Sequence, residues 1–275
     1  MGSRLTLRGL ALGSGKRTLR AIALGYLTVL LLFPLGMVGY RTFEHGLNAA
    51  WNAATTPDAV HAFWLTLLMV AVAVPLNTVF GVGAALLIAR REFRGKSIFN
   101  ALVDVPFAVS PVVVGLALIL VYGQTGWFGK DLAGAGIQVI FNPLGMIIAS
   151  IFISLPFVVR ETVPVLREIG TEQEQAAETL GARPWQTFWR ITLPAIRWGV
   201  AYGVVLTTAR VLGEFGAVSV VSGKLVGKTE TLPLHVQAAF EDFNLAGAYS
   251  ASFLLAGLAL VAVVAMQLLK RREIA

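Results

Sequence analysis

The sequence predicts an all-α integral membrane protein with six transmembrane helices and both termini on the cytoplasmic side. Composition is the first reason: 56% of the 275 residues are hydrophobic, only 13% are charged, and the mean hydropathy is +0.75. A soluble domain carries about 25% charged residues. The second reason is clustering. Ala21–Tyr40, Ala59–Ala89, Val105–Gly129, Leu132–Val159 and Phe243–Leu269 contain no Asp, Glu, Lys or Arg. Each suffices for the roughly 20 helical residues that cross a hydrocarbon core of about 30 Å. The third is the placement of Lys and Arg, which favours alternate segments by 17 to 4.

The helices are expected near 21–40, 61–89, 98–122, 143–163, 199–221 and 247–269. Arg4, Arg8, Lys16, Arg17 and Arg20 before the first could open a signal peptide. The uncharged run continues to Tyr40 without a small-x-small cleavage site, so an uncleaved first span is expected. The second is longer than a span requires and is expected to tilt or protrude. Pro34, Pro75, Pro106, Pro111 and Pro156 lie in or near spans. Each removes a backbone donor, tolerable in a membrane only inside a packed bundle.

The positive-rich segments are the amino terminus, 90–97, 160–198 and 270–275. Positive residues stay in the cytoplasm, which places both termini there and makes the number of spans even. The net charge of +7 is thus a topology signal, and no nucleic-acid partner is expected. Cysteine is absent, excluding thiol chemistry, and His45, His61 and His235 lie far apart with no H-E-x-x-H motif, so no metal is expected. An intramembrane enzyme would need a nucleophile with a base, paired acids or a metal cluster in the spans, but no G-x-S-x-G occurs and the histidines are not grouped. Gly223–Thr229 imitates a phosphate loop, but Ser222 stands where the first glycine is required.

The stretch between the fourth and fifth spans is the most specific. Thr171 followed by Glu174 has the capping-box pattern and places a helix start after Gly170. Glu172, Glu174 and Glu178 suit the positive end of its dipole, and Ala176, Ala177 and Leu180 form a small apolar face. Gly181 is placed to end the helix in a left-handed turn, and Pro184 to open a second helix. By local pattern alone, a solvated hairpin that only joins two spans reads equally well.

The complete string resembles the E-A-A-x-x-x-G-x(9)-I-x-L-P signature of permease subunits of bacterial ABC importers. The matching positions are Gln175, Ala176, Ala177, Gly181, Ile191, Leu193 and Pro194, with glutamine in place of the family's first glutamate. The resemblance implies a type I ABC importer permease: a transmembrane domain over 21–275 after a basic segment 1–20, with a coupling loop at 164–198. That loop would dock on a cytosolic ATPase and pass its closure to the membrane helices.

Three further strings resemble the sulfate/molybdate branch of these permeases: Ala101–Gly115, Leu155–Arg160 and Ala209–Ala217. The continuation Val218–Gly223 with Thr231-Leu-Pro-Leu is most similar to the W-type subunits of sulfate/thiosulfate importers, the T-type having tyrosine at the position of Phe215. The resemblance implies an inner-membrane protein working with two ABC ATPase subunits, a T-type permease, a periplasmic sulfate/thiosulfate-binding protein and membrane lipid. ATP and Mg would sit on the ATPase, leaving this chain without a cofactor and without catalysis of its own. Molybdate, tungstate or another oxyanion is the alternative cargo, and an ATP-independent secondary transporter the more remote reading.

Asp104, Ser110, Arg210 and Glu214 are the candidate polar residues of the pore or bundle. Arg210 and Glu214 share the fifth span at a spacing of four, which places them on one helix face. Counted from Gly199 at about 1.5 Å per residue, Arg210 falls roughly 16 Å into the membrane. The pair reads either as an internal salt bridge or as a pore-lining pair beside the path of a divalent anion.

Overall fold

The structure, a computed structural model, describes residues 18–274. Residues 1–17 of the basic segment lie outside the described residues. Among those described, five helices are long and apolar enough to cross a membrane: α1 (Thr18–Phe43), α3 (Pro57–Arg90), α7 (Pro143–Ile169), α9 (Pro184–Leu212) and α12 (Leu245–Ile274, apolar over Leu245–Ala265). The sixth expected span is two helices, α4 (Lys96–Ala108) and α5 (Pro111–Tyr122), meeting at 110°. Shorter elements fill the connections: α2 (Leu47–Ala54), α6 (Gly129–Gly134), α8 (Glu172–Thr179), α10 (Gly216–Val221) and α11 (Leu232–Glu241). No strand occurs among the described residues.

Proline sets several of these boundaries. Pro57, Pro111, Pro143, Pro184 and Pro233 stand in first turns, where the missing N–H was unpaired anyway. Val109 and Ser110, before Pro111, are extended, as a residue preceding proline prefers, and there the third span breaks instead of running straight. Pro34 and Pro194 sit inside continuous helices, and each is preceded by a π-helical turn, Thr28–Leu32 and Phe188–Thr192. In those turns Phe33 and Leu193 donate to the carbonyls five residues back, Thr28 and Phe188. Widening the turn relieves the clash of the proline ring with the preceding carbonyl.

The core is where α3, α7 and α9 pack, and small residues bring the three together. Ala85, Ile88, Val158, Val159, Leu166 and Ile196 are buried there. A Cβ at Gly203 would lie 2.7 Å from the Val158 Cα, one at Gly81 2.6 Å from the Val158 Cβ, and one at Gly199 3.0 Å from the Glu161 carbonyl oxygen. Such close backbones supply the dispersion contacts that drive helix association in lipid. One turn along, the buried Asn77 amide donates to the Ile151 carbonyl (3.1 Å) and to Ser154 Oγ (2.7 Å). The periphery is looser: α1 and α2 lean on α12, with Phe43 edge-on to Phe253 and Thr42 donating to the Tyr249 carbonyl.

Candidate functional site

The hairpin between α7 and α9 is compact and built as its residues dictate. Helix α8 begins after Thr171, and Gly181 adopts φ +82°. Its left-handed turn lets the Ala182 N–H reach the Ala177 carbonyl (3.0 Å), closing the end of α8. Pro184 opens α9, and the Arg183 N–H donates to the Gln186 side chain (2.9 Å). The expected capping box does not form. Thr171 Oγ1 accepts from the Gln175 amide, and Glu174 turns the other way, toward the spans.

There Glu174 meets Arg90, the last residue of α3. Nε and Nη2 of Arg90 lie 3.0 and 3.2 Å from the carboxylate, and Nη1 donates to the Leu166 carbonyl near the end of α7 (2.7 Å). The hydroxyl of Thr192 on α9 donates to the same carboxylate (2.8 Å). Of the signature positions, Ala177 is buried while Gln175, Ala176, Gly181 and Pro194 are exposed, and Ile191 and Leu193 are half-buried. Leu180, just past the end of α8, is 89% exposed, and Trp185 and Trp189, edge-on to each other, are exposed as well. The product is a rigid knob with an apolar tip.

A second polar group lies on α4 and α7. Arg160 donates through Nε to Asp104 (2.7 Å), pairs with the same carboxylate through Nη2, and bonds the Asn100 side chain (3.1 Å) and carbonyl. This forked geometry is the strong form of an Arg–carboxylate pair. Both side chains are part-exposed, and Leu102, Val105 and Phe107 of α4 are exposed as well. Arg160 falls inside the expected fourth span, 143–163, although its charge was counted with the positive-rich segment 160–198. Helix α7 contains it and runs on past the expected end at 163 to Ile169.

The third group gathers at two helix breaks. The fifth span was expected to run to 221, but α9 ends at Leu212, and Gly213–Phe215 separate it from α10. A Cβ on Gly216 would lie 2.8 Å from Pro111 Cβ, and one on Gly115 2.9 Å from the Ala217 carbonyl oxygen, so α10 packs against α5 and the two breaks adjoin. Ser110 sits at one break and Glu214 at the other. Arg210 occupies the last turn of α9, with Nη2 3.1 Å from Glu214 Oε2. Glu214 is therefore not on the helix face of Arg210. It lies in the break, where its other oxygen accepts the Ala217 N–H (3.0 Å) in the first turn of α10. Its side chain is 1% exposed, that of Arg210 35%. Helix α9 begins at Pro184, well before the expected start at Gly199.

The phosphate-loop imitation is a turn at 222–229, closed by Thr229 donating to the Ser222 carbonyl (2.6 Å). The Phe141 ring covers Gly223, leaving no cradle for a phosphate. Among the described residues no three His, Asp or Glu side chains converge to hold a metal.

Residues 79–274 match the model of the family described as binding-protein-dependent transport system inner membrane component. The sulfate transport system permease protein CysW of Synechocystis sp. is 49% identical over 257 residues, which cover 94% of this chain and 93% of that protein. The chain belongs to this family of inner-membrane transport components, in its CysW branch. CysW of Escherichia coli K12 is 43% identical over 258 residues, covering 94% of this chain and 89% of that protein. The paralogous CysT of Synechococcus elongatus is 39% identical over 223 residues, covering 81% and 80%. In fold this chain is similar to a bacterial alginate ABC transporter crystallised in complex with an alginate-bound periplasmic protein (TM-score 0.76, 17% identity, 97% and 96% coverage).

Two functional candidates escaped the sequence reading. Arg160 was counted only as one charge of the positive-rich segment 160–198, and the distinctive Leu155–Arg160 string was the available signal. Arg90 is one basic residue among four in 90–97, and nothing local marks it as the partner of an acid 84 positions away.

Proposed function

We propose that this chain is a pore subunit of an ATP-driven importer of sulfate or thiosulfate in the bacterial inner membrane. The observation that carries the reading is its likeness along nearly its whole length to sulfate transport permeases of the CysW type. Both termini face the cytoplasm, which puts the 164–198 loop on the side where ATP is found. The apolar tip of the knob then seats in a cleft of an ABC ATPase dimer, and ATP with Mg stays on that partner. A T-type permease completes the pore, and a periplasmic binding protein delivers the anion.

The charged groups fit this assembly. A charge at membrane depth faces a cavity or a protein partner, not lipid. The half-exposed Asp104–Arg160 pair and Arg210 therefore turn toward the second permease and the path between the two. At the adjoining breaks, where Ser110 also sits, Glu214 holds the irregular backbone such a path needs by accepting the Ala217 N–H.

The test is to purify the chain with its partners, reconstitute it in vesicles and follow labelled sulfate. Uptake should require ATP and the binding protein, and thiosulfate should compete. Uptake driven without an ATPase points to a secondary transporter, and competition by molybdate or tungstate alone points to another oxyanion. Since the chain lacks cysteine, single cysteines at Lys130 or Lys228 should react with an impermeant reagent added from the periplasm, and one at Lys96 should not. The reverse labelling overturns the orientation.

Gly181 gives a local test of the knob. A Cβ there meets nothing within 4 Å, so substitution costs only conformation. At φ +82° a β-branched residue loses on the order of 1 kcal/mol or more. Gly181→Val should insert normally yet retain less ATPase on co-purification. Normal retention with normal uptake makes the hairpin a mere connector.

A further inference from the structure

We infer that Glu174 and Arg90 form an internal clamp that fastens the docking helix α8 to three membrane spans at once, making Glu174 a positioning residue for coupling rather than a contact to the ATPase. The inference rests on the importer reading. It concerns a carboxylate that the signature does not assign, since Gln175 holds the signature's acidic position.

The geometry is that of a junction. One carboxylate receives the guanidinium of Arg90 at the end of α3 and the hydroxyl of Thr192 in the π-helical turn of α9. The same guanidinium caps the Leu166 carbonyl near the end of α7. Helix α8 is thus tied to α3, α7 and α9, the three helices that share the glycine-lined core. The side chains of Arg90 and Glu174 are 15% and 19% exposed, well screened from competing water. By contrast Glu172 and Glu178 of the same helix are exposed and free to meet a partner.

A knob that only rests against the spans would slide when the ATPase closes. A knob clamped to three span ends passes its displacement to the core as one body. The adjoining π turn supplies the compliance: its wider ring, imposed by Pro194, lies directly beneath the clamp, so α9 can bend there without breaking the carboxylate's bonds.

Two variants of the assembled complex test the clamp. Glu174→Gln keeps shape and one acceptor but loses the charge. Arg90→Lys keeps the charge but cannot span both the carboxylate and the Leu166 carbonyl. In reconstituted vesicles each should retain the ATPase and hydrolyse ATP, while sulfate moved per ATP falls about tenfold, as expected for losing a charged hydrogen bond. Amide exchange across 172–182 in the purified chain, which needs no partner, should rise by a similar factor. Exchange and uptake per ATP at wild-type level would overturn the clamp. So would loss of the ATPase on co-purification with unchanged exchange, since Glu174 would then be an external contact. A wild-type chain that retains no ATPase refutes the importer reading instead, and the exchange measurement still decides the clamp.

Discussion

Gly203→Leu should prevent the chain from accumulating in the membrane. At Gly203 the contact is with Val158 Cα itself, 2.7 Å from where a Cβ would stand, so no rotamer change can relieve it. Helices α7 and α9 would have to separate, and Val158 also packs against Gly81 of α3, so all three helices would shift. Overpacking in a closed core costs about 1–3 kcal/mol when side chains can yield. Here backbone must yield, and a loss of about 3 kcal/mol or more is expected against total stabilities of about 5–15 kcal/mol. The control is Gly83→Leu on α3, where an added Cβ meets nothing within 4 Å. Immunoblots of membrane fractions and the thermal aggregation midpoint should separate the two. Equal abundance would mean that the core is not the close-packed unit described.

Uncharged blocks pointed to five of the six spans, each long enough to cross the hydrocarbon core, while the fifth carries Arg210 and Glu214. Their interruptions were harder to see. Hydropathy hardly changes across Val109–Ser110, and the 110° turn there comes from Ser-Pro backbone chemistry that a window average ignores. The break at Gly213 was hidden in the same way, because α10 is apolar and continues the hydropathy of α9. The hairpin was legible in its backbone, from the helix start at Thr171 to the left-handed Gly181 and the restart at Pro184, since each depends on its own residue. Its bonds were not. Thr171 and Glu174 have the spacing of a capping box, but a guanidinium and a hydroxyl brought in by α3 and α9 outcompete one backbone N–H for the carboxylate. Similarly, Asp104 was recognised as a polar intruder, while its partner Arg160, inside the expected fourth span, was counted only as a topology charge. The pair joins residues 56 positions apart, and no local pattern reports it.

Replacing both members of the Arg210–Glu214 pair should restore a chain that either single loss weakens, without restoring transport. Glu214 is the buried member, and its carboxylate serves both the Arg210 guanidinium and the Ala217 N–H. Arg210→Ala leaves that carboxylate enclosed without a cation, which costs about 3–5 kcal/mol where the surroundings exclude water. Glu214→Ala strips α10 of its first-turn acceptor and leaves the guanidinium unpaired, so abundance should fall again. Glu214→Gln is milder, because the amide oxygen still accepts from Ala217 and the half-exposed Arg210 retains access to water in the path. The double variant Arg210→Ala with Glu214→Gln removes both charges and keeps the α10 bond, so its abundance should approach wild type. If the pair only holds the bundle, sulfate uptake returns with it. If Arg210 draws the divalent anion through the path and Glu214 keeps it from being trapped, the restored complex stays inactive at low sulfate. Labelled uptake normalised to assembled complex distinguishes the two, and full uptake by the double variant eliminates the pathway role of Arg210.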